Sequence, residues 1–332
     1  MTGLARGAPG QVARGTGIVF LDRGTFLPSV RFAASDIGGR PWRDYLYSPP
    51  ERVLEHARDA EVLVTNKVRL PAELITALPQ LRLIACAATG VDNVDVEVAR
   101  GRGVVVCNVR GYAAHSVPEH AFAMLLALRR NLLRYRQALE DGEWARSPIF
   151  CLLTWPNEDL CGSTLGVIGG GALGQAVARI GQAFGMNVLL AERRDAVAIR
   201  PQRVPFDRVL ADSDVISLHL PLTPQMRNLI GVTELAAMKR NAILINTARG
   251  GIIDEAALLV ALRDGRIAGA CLDVLATEPP GADHPLVSAR LPNLLVTPHI
   301  AWASRQAQQY LADEVVANIA AFFRGETRNR VT

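Results

Sequence analysis

The chain has 332 residues, 49% of them hydrophobic, and a net charge of +4. That length and apolar content suit about two domains, each with its own core, and exclude a disordered chain. Nearly all the positive charge is arginine, Lys67 and Lys239 being the only lysines, and no basic block tracks a phosphate backbone, which argues against a nucleic-acid partner.

Residues 1 to 16 are rich in Gly, Ala and Arg and lack the apolar core of a secretory signal; they read as a flexible N-terminal extension. From residue 17, short β-type runs alternate with helical ones: GIVFLD (17 to 22), ERVLEHARDA, EVLVT (61 to 65), PAELITALP, LRLIACA (81 to 87), VDVEVARG and VVVCN (104 to 108). Such alternation predicts a parallel sheet covered by helices. In Ser116-Val117-Pro118-Glu119 the serine is a candidate helix cap, Pro sits in the first turn and the glutamate closes the capping box, so a helix is expected over about 117 to 138. Its AFAMLLAL stretch (121 to 128) is the longest apolar run, and it falls far short of the roughly 20 residues that cross a bilayer.

The alternation resumes at 164 with TLGVIG, a helix to about 184, NVLLAE (187 to 192), DVISLHL (214 to 220), AILINTA (242 to 248), GACLDVL and NLLVTPH (293 to 299). The expected fold class is α/β, with two doubly wound parallel-sheet domains. Residues 17–108 and 305–332 form the first, because Leu311, Val315, Ile319 and Phe322 give the tail a helical stripe that packs back on it; residues 109–304 form the second. Cys86, Cys107, Cys151, Cys161 and Cys271 lie mostly in or beside apolar runs with no CxxC pair, and read as buried free thiols of a soluble, cytoplasmic protein.

Gly169, Gly171 and Gly174 make a GxGxxG directly after an apolar strand and opening a helix. The first glycine permits the bend, the second lets a pyrophosphate approach the backbone, and the third lets the helix lie against the strand. Glu192 ends the next strand, eighteen residues past Gly174 (192 − 174), near the spacing of a ribose-binding acid. A carboxylate there accepts bonds from the ribose hydroxyls and repels a 2′-phosphate, so NAD is favoured. Arg193 and Arg194 leave NADP open: they are either phosphate ligands or a solvated loop.

Three further residues follow apolar runs. Arg249, in TARGG, has a planar fork suited to a carboxylate. His299 stands where ligands bind at the carboxyl edge of such sheets, and an imidazole there can give a proton to a carbonyl oxygen and take it back. Glu278 is either a solvated turn residue before Pro279 and Pro280 or the partner of the far ring nitrogen of His299, favouring its charged form. The backbone amides of Thr89, Gly90 and Val91, after the strand LRLIACA, are candidates for a substrate carboxylate. Of the other histidines, His56 and His284 read as surface residues, His115 and His120 flank a helix start, and His219 lies inside a strand; no grouping has metal-ligand spacing, so no metal is expected.

With ATGVDNVD, SVPEHAFAMLLALRRN, GSTLGVIGGGALGQAVA, HLPLTPQMRNLIG, NTARGGIIDEAAL, GRIAGACLDVLATEPP and TPHIAWAS in place, the chain resembles the D-2-hydroxyacid dehydrogenase family over nearly its full length. SVPEHAFAMLLALRRN, DGEWARSPIFC and HIAWAS look most like its glycerate dehydrogenase and hydroxypyruvate reductase branch. The resemblance implies a flavodoxin-like substrate domain and a Rossmann cofactor domain. It implies that Arg249 binds substrate, that Glu278 pairs with His299, and that His299 is the proton donor and acceptor. Asp273 would contact the nicotinamide amide, while Ala172, Leu173, Glu192, Pro221 and Thr247 would line the dinucleotide. The reaction implied is reversible reduction of a short 2-oxo acid to a D-2-hydroxy acid with NAD(P)H, hydroxypyruvate or glyoxylate leading. A homodimer built on the cofactor domains is implied as well, with Trp144 near a neighbouring subunit's site. Trp302, where the family more usually has a small residue, either shapes the substrate pocket, stacks near the cofactor or fills the core. HIAWAS also resembles the HTAWYS segment of dinucleotide-sensing corepressors built on this fold, which makes a binding protein with little turnover the alternative.

Overall fold

A computed structural model describes residues 17–33, 37 and 39–332. The extension expected over residues 1 to 16 lies outside the described residues. Two compact units result: one runs up to Tyr112 and takes back Arg305–Thr332, and the other is Ala113–Ser304.

The first unit holds five parallel strands, β1 (Ile18–Phe20), β2 (Trp42–Asp44), β3 (Val62–Thr65), β4 (Leu83–Cys86) and β5 (Val105–Cys107), in the order β2-β1-β3-β4-β5. This is the flavodoxin-like order. β2 is not among the strands expected from the sequence, because Trp-Arg-Asp is a half-exposed edge strand with no apolar run to announce it. The final helix, Arg305–Phe323, lays the fully buried Leu311, Val315 and Ile319 into this unit beside β4. Behind it, Asn318 Nδ2 donates to the carbonyl of Asn108 at 3.0 Å.

The second unit holds β6 (Thr164–Ile168), β7 (Asn187–Leu190), β8 (Val215–Leu218), β9 (Ile243–Asn246), β10 (Gly269–Leu272) and β11 (Leu294–Val296), all parallel, in the order β11-β10-β9-β8-β6-β7. These strands read as continuous apolar runs because both faces are covered. Along β9, Leu244 points into one core with Ile216 and Leu272, while Ile243 and Ile245 point into the other with Leu165 and Val215. Truncating any of the leucines or isoleucines among them to Ala would cost roughly 2–5 kcal/mol. β6 pairs with both β7 and β8, so the winding reverses there and the glycine loop opens at a switch point, where such sheets bind ligands. The place of a further strand beyond β7 is taken by a single parallel bridge, Ala191 to Val204.

Several local expectations are corrected. The helix expected over 117 to 138 is two helices, Ser116–Arg129 and Leu132–Glu140, divided where Asn131 turns left-handed at φ 51°. Ser116 caps nothing: it is the first helical residue, His115 stands at the cap position, and the buried serine hydroxyl makes no hydrogen bond among the described residues. His56 is no surface residue, being 6% exposed, bonded at 2.8 Å to Ser48 Oγ and stacked on Tyr45. Of the thiols, Cys86, Cys107 and Cys271 are buried, and burial pushes Cys86 up to about 12; Cys161, however, is exposed and Cys151 partly so. Among the described residues no helix is long and apolar enough to cross a membrane.

Candidate active site

The glycine loop begins where β6 ends. Gly169 takes φ +106°, and a Cβ there would sit 2.2 Å from the carbonyl oxygen of His219. Inside the helix Ala172–Ala183, a Cβ on Gly174 would lie 1.9 Å from the Gly169 carbonyl oxygen, so only glycine lets this helix pack against β6. Gly171 faces open space within 4 Å and caps the helix without a side-chain bond. Ala172 is exposed and Leu173 half-buried beside it. An uncapped helix N-terminus behind a bare backbone is a cradle for a pyrophosphate, and these residues fit a dinucleotide.

Glu192 follows β7, but its carboxylate is already engaged. Oε1 accepts from the Arg193 amide at 2.8 Å and from Arg200 Nη2 at 2.5 Å; Oε2 accepts from Arg200 Nε at 2.7 Å and from the Arg200 amide at 3.1 Å. The Arg200 guanidinium, helped by the Arg193 amide, holds this carboxyl far below the usual glutamate range. Glu192, Arg193, Asp195 and Arg200 line an open recess of about 400 Å³. Arg194 instead reaches Glu234 at 2.7 Å and lies over the Phe206 ring. Arg203 donates to the Ala191 carbonyl at 2.8 Å, and its guanidinium occupies the space a Cβ on Gly170 would need.

At the other side of the sheet, β9, β10 and β11 are neighbours, so the segments that follow them emerge side by side. After β9, buried Asn246 shapes the arginine turn: Oδ1 accepts from the Ala248 amide at 3.0 Å and Nδ2 donates to the Arg249 carbonyl at 2.8 Å. Thr247 between them is buried. The Arg249 Nη1 donates to the Ala248 carbonyl at 2.8 Å. Gly250 runs against the next segment so closely that a Cβ would lie 1.8 Å from the Leu275 carbonyl oxygen. The arginine turn and the glutamate segment are thereby pressed together.

Glu278 braces that same segment, its Oε1 accepting from the Leu275 amide at 2.9 Å. Glu255 adds a second brace, with Oε1 accepting from the Ala276 amide at 2.6 Å and Oε2 standing 3.2 Å from His284 Nε2. His284 is therefore mostly enclosed, at 13% side-chain exposure, and not the surface residue its sequence context suggests. The remaining oxygen of Glu278 meets His299 Nδ1 at 2.6 Å. A carboxylate only accepts, so with Glu278 ionised Nδ1 is the donor, and Nε2 is the nitrogen at which the ring could exchange a proton.

His299 is held from its backbone outward. It turns left-handed at φ 55°, its amide donates to the Thr297 carbonyl at 3.0 Å, and its carbonyl accepts from the Trp302 indole N–H at 3.0 Å. Asp273, 1% exposed, pins the flanking residues: Oδ1 accepts from Thr297 Oγ1 at 2.5 Å and the Ile300 amide at 2.9 Å, and Oδ2 from the Ala301 amide at 2.8 Å. His120 Nε2 joins this cluster 3.0 Å from Thr297 Oγ1. The side chains of His299 and Glu278 stay 25% and 34% exposed, so a rigid frame presents an accessible pair.

Within the first unit, the Thr89 hydroxyl donates to the Val109 carbonyl at 2.7 Å and Asn108 Nδ2 to the Thr89 carbonyl at 2.7 Å, fixing the segment that carries Gly90 and Val91. Pro221 is exposed past the end of β8. Asn246, Glu255, Arg200 and Arg203 join the site without having stood out in the sequence. Asn246 was findable, since a polar side chain closing an apolar strand just before TARGG has a turn to shape.

Residues 122–301 match the family model described as D-isomer specific 2-hydroxyacid dehydrogenase, NAD binding domain. A glycerate dehydrogenase from Methylorubrum extorquens is 46% identical over 317 residues, covering 95% of this chain and 98% of that protein. Among solved structures, a protein from Thermus thermophilus superposes with a TM-score of 0.84 at 35% identity, over 95% of this chain and 99% of its own. An NADPH-dependent glyoxylate/hydroxypyruvate reductase from Sinorhizobium meliloti gives a TM-score of 0.80 at 30% identity, over 95% and 97%.

Proposed function

The chain belongs to the D-isomer-specific 2-hydroxyacid dehydrogenase family and is an NAD(P)-linked oxidoreductase, and on that premise we propose that it reduces hydroxypyruvate or glyoxylate to the D-2-hydroxy acid with His299 as general acid and base. The observation that carries this reading is the 2.6 Å bond between Glu278 Oε2 and His299 Nδ1, on strand ends adjoining the Arg249 turn.

When bound, a nicotinamide dinucleotide would supply or accept a hydride at C2 of the substrate. Gly169, Gly171 and the first turn of the following helix would hold its pyrophosphate, and the segment after β7 would receive the ribose at its adenosine end. Arg249 takes the substrate carboxylate in its planar fork. His299 Nε2 gives its proton to the C2 carbonyl oxygen in reduction and removes it from the hydroxyl in oxidation, while the Glu278 carboxylate offsets the positive charge of the protonated ring. Asp273 and Trp302 keep that ring from drifting, which matters because proton transfer demands hydrogen-bond distance.

Glycerate and hydroxypyruvate chemistry in relatives of this similarity supports a short polar substrate. Exposed Leu132, Leu133, Leu139, Ile149, Phe150 and Leu153, the phenylalanine at 90% exposure, support a homodimer formed through this region of the second unit. Light scattering at a monomer mass would refute the dimer. The catalytic reading is tested by following NADH and NADPH oxidation with glyoxylate, hydroxypyruvate, pyruvate and longer 2-oxo acids. Turnover is expected to be fastest with the first two, and no oxidation with any would overturn the proposal.

A further inference from the structure

Glu192 was expected to select NAD by offering a bare carboxylate to the ribose and repelling a 2′-phosphate. The structure gives it a fixed counter-charge instead. Arg200 grips both oxygens through Nε and Nη2, at 2.7 and 2.5 Å, and also donates its own amide. Glu192 is 2% exposed at its side chain while that of Arg200 is 55% exposed, so the surface presented to a ligand is the guanidinium.

We propose that Arg200 sets which dinucleotide this chain accepts: by silencing Glu192 it admits the 2′-phosphorylated ribose of NADPH alongside the free ribose of NADH. The inference rests on reading the segment after β7 as the ribose end of the cofactor site. Among the charged residues lining the recess, Glu192 and Asp195 balance Arg193 and Arg200, and removing Arg200 leaves a net negative wall. Among the described residues no other arginine nearby takes its place on Glu192, since Arg194 is drawn to Glu234 and Arg203 to the Ala191 carbonyl beside Gly170. The fork binds Glu192 through Nε and Nη2, so Nη1 stays outside the ion pair, where together with Arg193 it would be available to a phosphate while the pair stays closed. For NADH the ribose hydroxyls compete with Arg200 for the same carboxylate oxygens. Arg200 thus raises the affinity for one cofactor and lowers it for the other.

The test is direct binding, independent of turnover. NADH and NADPH are titrated calorimetrically into the wild type, R200A and the E192Q/R200A double variant. The wild type should bind both. R200A should weaken NADPH by roughly tenfold or more while NADH is unchanged or tighter, because the exposed carboxylate now faces the phosphate. In the double variant, where no carboxylate needs silencing, NADPH affinity should return to within about fivefold of wild type. An NADPH to NADH affinity ratio that R200A moves by less than about threefold overturns the proposal, and so does a double variant as weak for NADPH as R200A, which would mean that Arg200 does not act through Glu192. A protein that shows the Arg200-dependent ratio yet reduces no 2-oxo acid would sink the proposed reaction and leave this inference standing. Normal turnover with an insensitive ratio would do the reverse.

Discussion

Glu278 and Glu192 both follow strands of one parallel sheet, and each accepts a short bond from a nitrogen donor, but the two pairs suit the opposite tasks proposed for them. Glu278 is a third exposed and faces an imidazole, the side chain whose charge changes near neutral pH. Glu192 is enclosed and faces a guanidinium that stays protonated under any working condition. Proton transfer requires a pair whose charge can move, whereas choosing between two cofactors that differ by a phosphate requires a charge that cannot. The supports differ accordingly. His299 is positioned by Asp273, Thr297 and Trp302, and Glu278 by the Leu275 amide, so little but the proton is free to shift. Glu192 takes both its further bonds from amides on its own segment, at Arg193 and Arg200.

The sharpest way to break this contrast is His299→Gln, which keeps a polar side chain of similar reach and removes the titrating ring. It should lower kcat by roughly 10³-fold with little change in dinucleotide affinity. Near-normal turnover would place the proton donor elsewhere and reduce the Glu278 pair to a structural contact.

A third titrating group complicates acid-side measurements, and it stands between the two pairs. His219 follows β8, its Nδ1 is buried without a partner among the described residues, and Nε2 lies 2.8 Å from Ser217 Oγ. Burial pulls it down to about 4, below the ordinary 6.5. The unfolded chain therefore takes up a proton as pH falls through 6.5 while the folded protein resists until about 4, so stability is complete above that window and lost across it. The loss amounts to roughly 3 kcal/mol. Urea midpoints at pH 7 and pH 4.5 should show it, and His219→Asn should flatten the difference. An unchanged slope in that variant would assign acid instability to another group. Activity lost at acid pH can then be ascribed to the active site only where the fold is shown to be intact.

Glu278→Gln and Glu192→Gln compare the pairs directly. The first should lower kcat by about 10²-fold, because the ring loses the carboxylate that orients it and offsets its charge during proton transfer. The second should leave kcat with NADH within about threefold. Equal effects on kcat would erase the distinction between a reacting pair and a selecting one.

How far these roles could be read from sequence follows from what the pattern encodes. Continuous apolar runs such as AILIN and GACL announce strands covered on both faces, and the glycines mark positions where a Cβ collides with backbone, so most of both sheets and the cradle were legible. β2 was not, since an edge strand of Trp-Arg-Asp carries no periodic signal. Arg249, Glu278 and His299 stood out by position, but position left Glu278 equally readable as a solvated turn residue, and the resemblance, not spacing, suggested its partner. Arg200 was beyond reach, because residues 193 to 203 have no helical or strand period and only folding brings that guanidinium back to Glu192. Ser116 shows the converse error: a motif with the right letters starts its helix one residue early, and the serine turns inward unbonded.

Trp302→Phe probes the finest part of the comparison, whether the catalytic pair is held more tightly than it need be for binding. The indole N–H donates at 3.0 Å to the carbonyl of His299, a residue already in the left-handed region at φ 55°. Phenylalanine keeps an aromatic ring but removes the donor, a loss of about 1 kcal/mol of positioning. If Trp302 acts by fixing His299, kcat should fall about fivefold for every accepted 2-oxo acid and their ranking should not change. If it shapes the substrate pocket instead, KM for the bulkier acids should improve while glyoxylate is unaffected. Steady-state constants for glyoxylate, hydroxypyruvate and a branched 2-oxo acid separate the two. The bond to the carbonyl favours the first, because it anchors the one turn on which the imidazole depends for reach.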